Sequence, residues 1–325
     1  MVERTSVPLL ARVTWRSAVQ VGLLGIAFAV LWRAFSDLDL HLFWEELTDA
    51  TWWLVALGAL VAQLPRVAQA LSARGASPAP IPLRRLYVLQ LSQSYVGVAV
   101  PSSAARIALN VRFFQRQGLT SGSAVTVGAI DGFAGFLVQA VILGGLLLLT
   151  PRSIDIDLDV SAGGAFRVVL AVAVGVAVVF ALVSVLRPVW REQVALWIRG
   201  ALAEGWASVR GLRSPRRLLY LFGGNLLSDV LFATALGIFA RAFGTSVGLG
   251  DLLVIVVSVA LLAGLLPIPG GVGVTEGGLA LGLTGAGMPE EAALAAVIAY
   301  RLFTFYLPPI WGFPAFRWLQ REGHL

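Results

Sequence analysis

The 325-residue chain contains no cysteine and no lysine, and only two histidines and two methionines. Without cysteine there is no disulfide, no thiolate nucleophile and no cysteine-based metal site. His41 and His324 sit far apart in polar ends, which argues against zinc or haem. No Ser–His–Asp arrangement, paired hydrolytic acids or metal-ligand spacing occurs, so no catalytic residues, metal or cofactor are expected. Charge is also scarce. Asp, Glu and Arg make up 13% of the chain, where a soluble domain carries about 25%. Hydrophobic residues reach 58% and the mean hydropathy is +0.84. Too little polar surface remains to cover a water-soluble body. The apolar runs are long, so the expectation is an all-α integral membrane protein rather than a barrel of alternating strands.

What is present divides into two kinds of segment. Six reach the spanning length of about 20 residues: roughly 15–35, 51–73, 123–149, 165–187, 217–241 and 290–313. The first follows Arg4, Arg12 and Arg16 and lacks a small-residue cleavage site. It is read as a retained helix rather than a signal peptide. Two further segments, about 84–116 and 251–285, break near Pro101 and near Pro267–Gly273. They read as re-entrant helical hairpins. Irregular backbone survives at membrane depth only when protein shields it or when it lines a wet cavity.

Charge supports the layout. The net charge of +6 comes entirely from arginine. With six spans plus two hairpins, or with eight full spans, which have the same parity, the arginine-rich ends 1–16, 66–116, 187–217 and 317–321 share one side. Asp37, Asp39, Glu45, Glu46, Asp49, Asp155, Asp157, Asp159, Asp251, Glu290 and Glu291 fall on the other. The positive-inside rule makes the arginine side cytoplasmic, with both termini inside a multi-pass cell-membrane protein. No basic soluble domain is present to hold nucleic acid. Segment 190–216 interleaves Trp, Leu and Ile with Arg and reads as an amphipathic helix on the membrane surface.

A shift of about 168 residues aligns "ARGASPAPIPLRRLYVLQLSQSYVGVAVP" with "ARAFGTSVGLGDLLVIVVSVALLAGLLPIP". The halves, about 1–150 and 151–325 of a single membrane domain, then each hold two spans, a hairpin and a span. An odd number of crossings inverts the second half, and inverted repeats with broken helices are a transporter pattern.

The candidate residues are polar groups placed where lipid punishes polarity. Glu276 follows the turn "PIPGGVGVTE", whose Pro269, Gly270, Gly271 and Gly273 permit a sharp reversal and leave backbone amides free at a helix start. That turn is no phosphate loop, because GxxxxGK[ST] and a preceding strand are missing. Arg301, beside Tyr300, lies deep in the last span. It suits a headgroup phosphate or an ion pair with Glu276 or Asp229. Asp131 sits inside the third span, and the repeat register pairs it with Tyr300 or Arg301. Asn225 and Asp229 share a helix face with Ser228 alongside. Arg106 and Asn110 follow the first hairpin tip. Gln90, Ser92, Gln93 and Ser94 in that hairpin's first leg point to a wet interior.

"LLPIPGGVGVTEGGLALGL" followed by "AALAAVIAYRLFTFYLPPIWG" resembles the membrane domain of lysylphosphatidylglycerol synthases and its stand-alone, flippase-like relatives. The family motif is Pro–Gly–Gly–x–Gly–x–x–Glu, then Tyr–Arg and a terminal Leu–Pro. Pro269, Gly270, Gly271, Gly273, Glu276, Tyr300, Arg301, Leu307 and Pro308 match it. "ARIALNVRFFQRQGLTSGSAVTVGAIDGF" is similar to the family's first-half block. There the family's Pro–Gly turn is replaced by "PSSAAR", and Asp131 is followed by Gly132 where an arginine is usual. The chain stops at Leu325, so a membrane domain without the aminoacyl-transfer domain is expected. The resemblance implies movement of a lipid between leaflets. The polar residues read above, Glu276, Arg301, Tyr300, Asp131, Arg106, Asn110, Asp229 and Asn225, are the expected substrate contacts. The lipid would be an anionic phospholipid or a glycolipid. Protein partners left open are a second copy of the chain and an envelope-synthesis enzyme. Two other functions compete: a scaffold or regulator of such an enzyme, and a transferase using a polyprenyl phosphate.

Overall fold

The computed structural model describes residues 48–99, 103–149, 214–265 and 269–325. The expected spans 15–35 and 165–187, and nearly all of the surface helix 190–216, lie outside them. Every regular element among the described residues is helical, as the composition predicts. In chain order these are α1 (Trp52–Val61), α2 (Pro65–Ala76), α3 (Leu83–Ala99), α4 (Ser103–Arg116), α5 (Ser121–Leu149) and α6 (Pro215–Ala242). They continue with α7 (Leu249–Leu265), a 3₁₀ turn (Pro269–Gly271), α8 (Val274–Gly285), α9 (Glu290–Arg301), a π-turn (Leu302–Tyr306) and α10 (Pro308–Arg321).

Four stretches are long and apolar enough to cross a membrane: Trp52–Ala76, Ser121–Leu146, Pro215–Ala242 and Glu290–Arg321. They match the four expected spans that fall within the described residues. Two of them are bent. Pro65 lacks an N–H and breaks the first between α1 and α2. The last widens into the π-turn ahead of Pro308 and Pro309. It also runs on to Arg321, past the expected end at 313.

The interrupted segments are pairs of short helices folded back on themselves. α3 packs on α4, and α7 packs on α8. Over the described residues, all four are shorter than the ~20 residues of a typical span. In the second hairpin the register is antiparallel. A Cβ on Gly278 would lie 2.9 Å from Val259, and one on Gly282 would lie 2.5 Å from Ile255. The two glycines, four apart, let the legs approach closely.

α6 is the central element and touches α1, α2, α5, α7 and α9. Its contact with α2 is a close backbone approach. A Cβ on Gly224 would stand 2.5 Å from the backbone N of Ser72, and one on Gly75 would collide with the backbone of Leu221. Small residues replace hydrophobic driving force here, because lipid tails are as apolar as leucine. Arg217 donates to the carbonyls of Gly75 and Ala76, closing the C-terminal end of α2. Two apolar cores result. One gathers around Phe239, Leu283 and Val297, the other around Leu86, Phe113 and Phe114, and α6 contributes to both.

Candidate functional site

The second hairpin's tip turns through three glycines with positive φ: Gly270 at 68°, Gly271 at 63° and Gly273 at 87°. Gly273 caps α8, and Glu276 stands in that helix's first turn. Its Oε2 accepts the Gly273 N–H at 2.6 Å. A carboxylate there satisfies a free helix-start amide and meets the positive end of the helix. Its other oxygen accepts Arg301 Nε at 2.7 Å and the Tyr306 hydroxyl at 2.8 Å. Glu276 therefore holds three donors from three places: the tip, the end of α9 and the π-turn. Arg301 extends the knot by donating from Nη2 to the Gly270 carbonyl at 3.3 Å. Its guanidinium lies 4.2 Å from the centre of the Phe305 ring. Both charged side chains are buried. Of the two partners expected for Arg301, Glu276 is the one it takes; Asp229 is not.

Immediately after Arg301 the helix loses its regular bonding. Leu307 N–H reaches back five residues to Leu302, so the Phe303 carbonyl is passed over. Pro308 has no N–H to offer the Thr304 carbonyl. Both orphaned oxygens are taken by α1–α2 and the link between them. Gln63 Nε2 donates to Phe303 O at 3.0 Å, and Arg66 Nη2 donates to Thr304 O at 2.8 Å. Arg66 also bonds Ser94 on α3, Gln63 Oε1 and the Ala62 carbonyl. The charge pattern placed Arg66 among the cytoplasmic ends; instead it is buried, inside the first described span.

A second polar cluster joins α2, α5 and α6. Ser72 Oγ donates to Asp131 Oδ1 through a short bond. Asn225 Nδ2 lies 2.6 Å from Ser72 Oγ and 3.4 Å from Asp131 Oδ1. Asp131 thus pairs with neutral groups, not with Tyr300 or Arg301 as the repeat register suggested. Its carboxylate is taken up by Ser72 on α2 and Asn225 on α6. One turn along α6, Asp229 accepts from Gln139 at 3.4 Å, while Ser228 accepts from Gln69 on α2. The shared face of Asn225 and Asp229 is therefore directed at α5.

The remaining candidates stand apart. Tyr300 is buried edge-on against Phe239, with centroids 6.3 Å apart. Arg106 is exposed, with its methylenes near Gly97 across the first hairpin tip, and Asn110 lies near Gly128. Ser92 spends its hydroxyl on its own helix at Val88. Sequence reasoning missed Gln63, Arg66, Ser72 and Tyr306. A clue for Arg66 was available: "QLPRVAQ" puts an arginine some fifteen residues into an apolar span. Among the described residues, no group of His, Asp or Glu is arranged to hold a metal ion.

A family model for the lysylphosphatidylglycerol synthase TM region matches residues 19–312. The chain belongs to that family, and it is a membrane protein linked to lipid handling. No curated protein matches it closely enough to add a more particular identity.

Proposed function

We propose that the chain is a lipid flippase: it binds the headgroup of an anionic phospholipid or glycolipid in a polar interior and passes it between leaflets. The observation that carries this is a pair of polar clusters joined by the π-turn after α9: Gln63, Arg66 and Ser94 on its carbonyl side, and Glu276, Arg301 and Tyr306 at the hairpin tip. Buried charge in a membrane segment is expensive and tends to mark a substrate path. A headgroup needs such a path because it must cross while its tails stay in lipid.

In this reading the protein is a carrier and not an enzyme. Its halves, 1–150 and 151–325, act as inverted repeats in the cell membrane with both termini cytoplasmic. Glu276 and Arg301 then trade their mutual bond for headgroup contacts as access alternates.

The test is a flip assay in vesicles carrying tail-labelled phosphatidylglycerol, with a membrane-impermeant quencher outside. Wild type should speed exchange between leaflets. Glu276→Gln and Arg301→Gln should each slow it by ~10-fold or more, the scale of one charge-assisted hydrogen bond. Equal exchange in wild type, variants and empty vesicles would sink the carrier reading and favour a scaffold for a lipid-synthesis partner.

A further inference from the structure

Arg66 is the charge that the Glu276–Arg301 pair leaves unexplained. It is 6% exposed. Its four hydrogen-bond acceptors are Ser94 Oγ, Gln63 Oε1 and the carbonyls of Ala62 and Thr304, all neutral. The ion pair between Arg301 and Glu276 is the only one among the described residues, so Arg66 has no carboxylate there. A guanidinium offers five N–H groups. Four contacts leave one of them, on Nη2, over.

Closing off the π-turn does not require this charge. Gln63 satisfies the Phe303 carbonyl from the same segment with a neutral amide. A second neutral donor would serve Thr304 equally well. A buried cation without a counter-ion is costly, and in a membrane segment more so. The arrangement suits a site whose counter-ion arrives as ligand.

We infer that Arg66 is an anion-binding residue that receives the phosphate of a lipid headgroup. This rests on the lipid-carrier reading above. Arginine fits the task because its planar fork grips two phosphate oxygens at once. Gln63 Oε1, 3.1 Å from Nη1, is the acceptor that a phosphate oxygen replaces, because a glutamine side chain can swing where a carbonyl cannot. Ser94 Oγ holds Nε and fixes the direction of the fork.

The experiment is native mass spectrometry of the whole chain titrated with phosphatidylglycerol, with phosphatidylcholine and inorganic phosphate as separate arms. The variants are Arg66→Gln, Arg66→Lys and Gln63→Glu. The last keeps Arg66 and gives it an internal carboxylate but gives up the Nε2 donor to the Phe303 carbonyl, so Gln63→Met, which loses the same donor without adding charge, is its control. Wild type should prefer phosphatidylglycerol to phosphatidylcholine. Arg66→Gln and Gln63→Glu should each weaken that binding by ~10-fold or more, with Arg66→Lys between. If Arg66→Gln fails to fold, Gln63→Glu compared with Gln63→Met decides. Unchanged phosphatidylglycerol binding in the folded variants overturns the role of Arg66 and leaves the carrier reading standing. Phosphate binding that needs Arg66, with no lipid preference, keeps the anion site but makes its source free phosphate, against the carrier reading. A wild type that binds neither overturns the site.

Discussion

Arg301 Nε lies 2.7 Å from Glu276 Oε1, and both side chains are buried, on helices that start and end at breaks. The pair ties the hairpin tip to the far end of α9. Removing one partner of a buried pair strands the other charge, at a cost of about 3–5 kcal/mol. Removing both costs less. Arg301→Gln and Glu276→Gln should each lower the melting temperature in detergent by more than the double variant does. Strict additivity in this double-mutant cycle would mean that the two charges do not meet.

Gly270 makes the tip possible in two ways. Its φ of 68° is a left-handed conformation that costs any other residue roughly 1–2 kcal/mol. A Cβ there would also run into the Phe305 ring, which lies against Arg301. Gly270→Ala should therefore destabilise the protein measurably. Adding Phe305→Leu should recover part of the loss, because it relieves the collision and leaves the dihedral strain. Full recovery would mean that strain contributes nothing; no recovery would mean that the ring is not the obstacle.

Much of this was written in the chain. The composition called for membrane helices, and their lengths separated the spans from the interrupted segments. The depth of Arg301 in the last span called for a buried partner, Glu276 or Asp229, and Glu276 is the one it meets. The partners of Asp131 were harder to read because they depend on how three helices rotate against each other. A rotation of one residue, about 100° around a helix, replaces Ser72 with a different side chain. Arg66 was misplaced for a related reason. Charge counting assigns an arginine to the nearest end of a span. It does not register that Pro65 and Pro308 bend two helices so that their unpaired carbonyls and an arginine meet inside.

Asp131 accepts hydrogen bonds from Ser72 and Asn225 and has no basic partner among the described residues. Asparagine has the same shape and keeps an acceptor oxygen toward Ser72. Leucine removes that acceptor; Ser72 and Asn225 keep the Leu221 carbonyl, so the loss is about 1 kcal/mol per hydrogen bond. Asp131→Asn should melt close to wild type, and Asp131→Leu well below it. The reverse order would show that the carboxylate's charge, rather than its oxygen, holds this junction.

The close backbone approach between α2 and α6 helps set the position of what α6 carries. A Cβ on Gly224 would stand 2.5 Å from Ser72 N and 2.7 Å from the Ala68 carbonyl, and neither is a flexible group. The helices must therefore move apart if Gly224 is substituted. Overpacking of this kind costs about 1–3 kcal/mol. The displacement would also pull Asn225 away from Ser72, since the two meet one residue further along. Gly132 on α5 is the control, because a Cβ there meets nothing within 4 Å. Gly224→Ala should lower the melting temperature and Gly132→Ala should not. Alanine also favours a helix over glycine by up to ~1 kcal/mol, so Gly132→Ala is expected to be neutral or slightly stabilising. Equal melting of the two variants would mean that α2 and α6 do not approach as closely as their glycines allow.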